Sequence, residues 1–319
     1  MSSITNAMLI FQKQSFNYAN TEDLQDIRVQ ETFIDKHKNR IINLGDAFFY
    51  PPKYLQKNLN YVLVFSENTM KRDIPSGSVW NYYDENYRSE ILRDDVGCGI
   101  SMFLFKKENV ALNEWLETIS KKSIGGGNHF INIGEYDHDL DFLLLHSDFN
   151  NEKRIPRSVK EAQILEKQAK ERRQETTQEI LVELGIKGEL YRDWPHNFVR
   201  TNDLGTSYFK GVVDTKENEG VGLLAMNPIK GTKLFVQNPA LLNGYMQHGL
   251  GVKDHDFKKF YEEFMGNKKI QYLSADSSSK HQENISKSFN SYTSVENKFL
   301  GGAILTMNDL KHYLTIRTR

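Results

Sequence analysis

Several short stretches of this chain set soft and hard metal-binding side chains beside glycines or at the end of an apolar run. Asp94-Asp95-Val96-Gly97-Cys98-Gly99 places a carboxylate and the only thiol three residues apart. The glycines let such a loop turn sharply enough to aim both groups at one point. A lone cysteine is equally the mark of a small buried hydrophobe. Ser123-Ile124-Gly125-Gly126-Gly127-Asn128-His129-Phe130 offers successive glycine amides that could face an anion. It is not a Walker loop, which needs Gly-Lys-Ser/Thr, nor a dinucleotide fingerprint, whose glycines are spaced differently. A flexible turn before a strand is the plainer alternative. Leu143-Leu144-Leu145-His146-Ser147 ends an apolar run on an imidazole, and Trp194-Pro195-His196-Asn197 holds another. Either histidine could instead be a hydrogen-bonded structural residue. In Gln247-His248-Gly249-Leu250-Gly251 a histidine next to glycine suits a side chain that a bulky ligand must approach closely. Together these groups form a donor set of mixed softness, suited to a transition metal rather than to calcium or magnesium. A bridging thiolate or carboxylate would support a two-metal site. His37, His138, His255, His281 and His312 lie in polar, charged segments and are expected at the surface.

These candidates are spread from 95 to 248, so distant segments must converge. A short strand ending in a turn is expected over Arg40–Asp46, and strands at Tyr61–Phe65, Ile100–Phe105 and Leu140–Leu145, with further ones at Val221–Leu224 and Leu234–Val236. The last stretches, Phe257–Phe264, Tyr292–Leu300 and Leu305–Ile316, read as mixed helix and strand. A charged helix is expected around 156–184. Ser158 and Glu161 have capping-box spacing, Val159, Ala162, Leu165, Ala169, Ile180 and Leu184 recur at helical intervals, and Gly185 can end the helix. That segment, 152–184, carries eight Lys/Arg against seven Asp/Glu, which suits a solvated face. Lys167, Lys170, Arg172 and Arg173 leave an RNA-facing surface as the sharper alternative. No regular strand–helix alternation is visible, so the fold class is α+β. The whole chain carries 41 Lys+Arg and 42 Asp+Glu, a net charge of −1, which excludes a general polycationic coat for nucleic acid but not a local basic groove. With one cysteine, no intrachain disulfide is possible. No apolar run has the length of a membrane-spanning helix and no signal peptide is recognisable, so a cytoplasmic setting without membrane contact is expected.

Taken in order, the motifs resemble the RtcB family of RNA ligases. The matching stretches are Asp95-Val96-Gly97-Cys98-Gly99, Gly127-Asn128-His129-Phe130, His146-Ser147, His196-Asn197, Lys210-Gly211-Val212 and His248-Gly249-Leu250-Gly251. The form of the glycine-rich stretch, of His196-Asn197-Phe198-Val199 and of the tail Ser291-Tyr292-Thr293-Ser294-Val295-Glu296 looks most like the branch associated with release factor H.

The resemblance implies one RtcB-like catalytic domain over 1–319, of mixed sheets with flanking helices and a helical insertion at about 152–185. It implies a GTP- and Mn²⁺-dependent ligase that joins RNA 3′-phosphate or 2′,3′-cyclic phosphate ends to 5′-hydroxyl ends. Cys98 would bridge two Mn²⁺ ions, with His129 and His146 completing one site and Asp95 and His196 the other. His248 would attack the α-phosphate of GTP and carry the guanylate. Asn128, Lys210, Gly249, Gly251 and Arg317 would serve nucleotide binding. Asp46 is the candidate for a further family acid, with Glu67 its rival. The chain also departs from the family. His146-Ser147-Asp148-Phe149-Asn150-Asn151 replaces His-Ser-Gly-Ser-Arg-Gly, Val252 replaces the arginine that ends the histidine–glycine motif, and Met226-Asn227-Pro228-Ile229-Lys230-Gly231 replaces a Pro-Gly-Ser-Met-Gly loop. Arginine forks bind phosphate as valine cannot. Two other functions therefore stand beside an active ligase: a metal- and nucleotide-binding relative that no longer seals RNA, and a metal-dependent phosphoesterase.

Overall fold

The computed structural model describes residues 30–34, 40–43, 49–65, 70–71, 73–125, 129–150, 152–203, 205–225, 232–237, 244–249, 270–274 and 304–318. The strands are β1 (Gln30–Ile34), β2 (Arg40–Asn43), β3 (Leu59–Val64), β4 (Met70–Lys71), β5 (Ile74–Pro75), β6 (Ser78–Tyr82), β7 (Gly99–Lys106), β8 (Phe130–Glu135), β9 (Leu140–Ser147), β10 (Gly188–Pro195), β11 (Asn197–Asn202), β12 (Gly205–Lys210), β13 (Val212–Asp214), β14 (Val221–Ala225), β15 (Thr232–Gln237), β16 (Tyr245–Gln247), β17 (Ile270–Ser274) and β18 (Ile304–Thr318). The α-helices are α1 (Ser89–Leu92), α2 (Leu112–Ser120) and α3 (Val159–Glu183). Among the described residues the protein is sheet-rich and mixed, as an α+β reading requires, and no helix is long and apolar enough to cross a membrane. The expected strands at 61–65, 100–105, 140–145, 221–224 and 234–236 are present, residues 40–43 of the expected 40–46 stretch form β2 while 44–46 lie outside the described residues, and 305–316 lies wholly in β18. The segments 257–264 and 292–300 lie outside the described residues.

A six-stranded sheet runs β1-β2-β3-β6-β12-β11, and an eight-stranded sheet runs β10-β7-β9-β8-β18-β15-β14 with β17 on β18. In the larger sheet, residues alternate between two cores. Phe103, Leu143 and Leu145 face one with Ile180, Leu181 and Leu314, while Ile100, Met102, Phe142 and Leu144 face the other with Trp194, Leu223 and Leu234. Period-two alternation with apolar residues on both sides is what a sheet buried on both faces demands. The second core contains residues from β10 and β14, the two ends of the strand order, and Trp194 Nε1 donates to Val221 O at 2.9 Å. The sheet therefore curls until its ends meet. Register shifts in β18, one of them between His312 and Leu314, mark the irregularities that help a strand bend.

Helix α3 is more than a solvated insertion. Ser158 caps it, its side chain accepting from Glu161 N, and Gly185 follows its last turn with φ +71. The capping box is half formed, because the Glu161 carboxylate accepts from Arg157 N instead. Ala162 packs into the core of the six-stranded sheet beside Val62 and Trp80, and Ile180 and Leu181 pack into that of the larger sheet. Lys167, Lys170 and Arg172 are exposed, but Arg173 is fully buried and cannot be part of an RNA-facing surface.

Candidate metal centre

The loop before β7 turns at Gly97, whose φ is +85, because α3 lies directly behind it: a Cβ there would stand 2.8 Å from the Ala169 Cβ. This turn delivers Cys98 into the interior, 2 % exposed. Register brings the other donors to the same end of the larger sheet. His146, near the end of β9, pairs with Ile100 in β7 and Phe130 in β8, so His129 precedes its strand at the same level. Pro195 at the end of β10 pairs with Gly99, so His196 emerges beside Cys98, and its N–H donates to Cys98 O at 3.0 Å.

The result is a compact buried set. Cys98 Sγ lies 3.2 Å from His146 Nε2, and His146 Nε2 lies 3.3 Å from His196 Nε2. Ligand atoms of these three residues all fall within 4.8 Å of one another. His129 Nε2 stands to the side, 3.8 Å from Cys98 Sγ. Asp95 lies at the end of the 3₁₀ turn that leads into the loop, and its Oδ2 is 3.4 Å from Lys210 Nζ. The Lys210 side chain is 4 % exposed, and a lysine so buried requires such a counter-charge. A thiol and imidazoles converging in a water-poor pocket are the donors that hold a transition metal. The residues present therefore fit a metal centre.

His248 follows β16 and borders this set. Its ring lies 4.1 Å from the His196 ring, centroid to centroid. Both its backbone N and its Nδ1 lie 3.0 Å from Gly211 O. A carbonyl can only accept, so Nδ1 carries a proton and, in the neutral ring, Nε2 holds the lone pair. Gly211 has φ +65, and a Cβ there would meet Gly77 N at 2.8 Å and His248 Nδ1 at 3.0 Å. Glycine is thus required for both the turn and the closeness of the imidazole. The Gly211 amide donates to Asn197 Oδ1 at 2.7 Å, which ties the turn to the residue after His196. Gly249 bridges to Ala225 in parallel.

Two residues that the sequence did not single out for this site hold it in place. Arg173 Nη1 donates to Gly97 O at 2.5 Å and to Ser147 O at 2.8 Å, the carbonyls next to Cys98 and His146. Its Nε and Nη2 form a fork on Asp193, at 3.1 and 3.0 Å, and Ser101 Oγ donates to the same carboxylate at 2.5 Å. A buried guanidinium flanked by a fully formed carboxylate partner is the arrangement in which an ion pair can be sustained away from water.

Of the residues expected from sequence, Asp95, Cys98, His129, His146, His196, Lys210, His248 and Gly249 come together at this end of the sheets. Arg317 lies in β18, where its backbone pairs with Gln271. Asn128, Gly251, Asp46, its rival Glu67 and the Val252 position lie outside the described residues. Arg154, the nearest arginine to the altered segment, pairs with Glu161 at 2.9 Å. His138 is exposed as expected. His312 is not a surface residue: both ring nitrogens are shut off from solvent without hydrogen-bond partners among the described residues, and the ring stands edge-on to Phe142 at 5.6 Å. Polar neighbours in sequence point the wrong way here, because alternate residues of a strand face opposite sides. No protein-family model matches this chain, and none of the curated proteins matches it.

Proposed function

We propose that the protein is an RtcB-like, GTP- and Mn²⁺-dependent RNA ligase in which His248 takes up GMP covalently. The observation that carries the reading is the juxtaposition of His248, its Nδ1 committed to Gly211 O at 3.0 Å, with the buried Cys98, His146 and His196 cluster. Cys98, His129, His146, His196 and Asp95 would hold two Mn²⁺ ions, and bound there the ions would neutralise phosphate charge as Lewis acids. His248 supplies the nucleophile. Its Nε2 lone pair attacks the α-phosphorus of GTP, a new N–P bond forms, and the bond to the departing pyrophosphate breaks. The Gly211 carbonyl keeps the opposite nitrogen protonated, so the reactive tautomer is set before substrate arrives. RNA ending in a 3′-phosphate or 2′,3′-cyclic phosphate, together with an RNA bearing a 5′-hydroxyl, would complete the reaction.

One observation favours weaker action on generic RNA. The segment after Ser147 holds Asn150 where the resembled motif has a phosphate-binding arginine, and Arg154 is engaged by Glu161. Guanylylation is therefore expected to be more robust than sealing. The test is intact-mass spectrometry after incubation with GTP and Mn²⁺. An acid-labile GMP adduct is expected on the wild type and none on His248→Ala. Metal-loaded wild type that never forms the adduct would favour a binding protein or a phosphoesterase that uses no guanylate.

A further inference from the structure

The segment that departs most from the resembled motif brings a carboxylate to the metal centre. Asp148 Oδ1 accepts from Asn150 N at 2.9 Å, which closes a tight turn. Phe149 between them takes a left-handed backbone, φ 51, and its N–H donates to Ser147 Oγ at 3.0 Å. The Asn150 side chain donates to the carbonyls of Asp94 at 2.7 Å and Arg154 at 2.9 Å, so the turn is pinned to the loop that carries Asp95 and Cys98. With Oδ1 held by the turn, Oδ2 faces the cluster, 3.9 Å from His129 Nε2. That is too long for an N–H···O hydrogen bond. The same nitrogen is 3.8 Å from Cys98 Sγ. Donors bound about 2.0–2.3 Å from one ion stand roughly 3–4 Å apart, and each of these two separations falls in that range. The Asp148 side chain is 15 % exposed and lines a cleft of about 490 Å³ with Val96, Arg154 and Arg172.

We propose that Asp148 is an additional metal ligand, its Oδ2 binding the ion held by His129 Nε2 and Cys98 Sγ. This rests on the metal-centre reading above. A hard oxygen donor with a negative charge shifts that position toward Mn²⁺, compared with thiolate and imidazole alone. The experiment is Mn²⁺ titration of metal-stripped protein, followed by the loss of the free-ion EPR signal, on wild type, Asp148→Asn and His129→Ala. Asp148→Asn keeps an oxygen acceptor for the Asn150 amide, so an unchanged circular dichroism spectrum checks that the turn and fold survive. Wild type is expected to bind Mn²⁺ at two positions. Both variants are expected to weaken the same one by at least about tenfold, the low end of what loss of a group around a metal costs. Asp148→Asn binding as tightly as wild type, while His129→Ala does not, overturns the proposal and leaves Asp148 as an ion-pair partner of His129. Wild type that binds no Mn²⁺ overturns the metal-centre reading, and the proposal with it.

Discussion

A histidine is useful to a site only if its surroundings choose its protonation, and two histidines here show opposite choices. Gly211 O holds the proton on Nδ1 of His248. His312 has no such partner, and burial alone pushes its pKa down to about 3. The unfolded chain would titrate this imidazole near 6.5. Between those values the unfolded state binds the extra proton, so the contribution of His312 to stability is whole above about pH 6.5 and falls away as pH drops toward 3, by up to about 1.4 kcal/mol per pH unit. Replacing His312 by Phe is expected to flatten that stretch of the stability–pH curve, measured by urea unfolding at pH 7.5 and 5. An unchanged slope would show that the ring is already solvated. His248, Cys98, His146 and His196 were legible in the sequence because glycines or strand ends flank them. Asp148 and Arg173 were not. Nothing near an aspartate in a polar loop signals the His129 imidazole 19 positions away, and an arginine in a charged helix looks like every other solvated cation.

Helix α3 carries that point to the scale of an element. Its inward face includes Glu166, Arg173 and Thr177 as well as alanine and isoleucine. Arg200 meets Glu166 at 2.6 Å and Glu217 at 2.8 Å. Burial opposes the Arg200 charge, but the two carboxylates outweigh it and hold the pKa above the usual value. Polar residues on a buried face blur the apolar period, which is why Ala162, Ala169 and Ile180 were legible at helical intervals while Glu166, Arg173 and Thr177 passed for part of the solvated face. The boundaries, by contrast, came through, because Ser158 and Gly185 act locally. Arg173→Met is expected to destabilise the protein by about 3–5 kcal/mol, since Asp193 would be left buried without its partner. Arg173→Lys, which keeps the charge but loses the fork, is expected to cost less. Denaturant unfolding of the two variants measures the difference, and equal losses would mean that the charge without the fork contributes nothing.

At the scale of the whole molecule, the most apolar strands and the α+β class were readable, while strands such as β6, β10 and β12 and the pairing of distant strands were not. The order β10-β7-β9-β8-β18-β15-β14 depends on pairings between segments far apart in sequence, such as Lys311 of β18 with Glu135 of β8, for which local pattern holds no signal. The chain leaves the larger sheet at Pro195 and enters the smaller one at Asn197, so His196 is the single residue between them. An ion bound by Cys98, His146 and His196 would be a rivet through that seam. Neither sheet could come apart without ejecting it, and each would borrow the other's resistance to heat. Mn²⁺ at a hundred times its dissociation constant is expected to add about 2.7 kcal/mol per site. Scanning calorimetry is expected to show one sharp, late transition for loaded protein and an earlier, broader one after chelation. Identical traces would mean that the seam holds without its rivet.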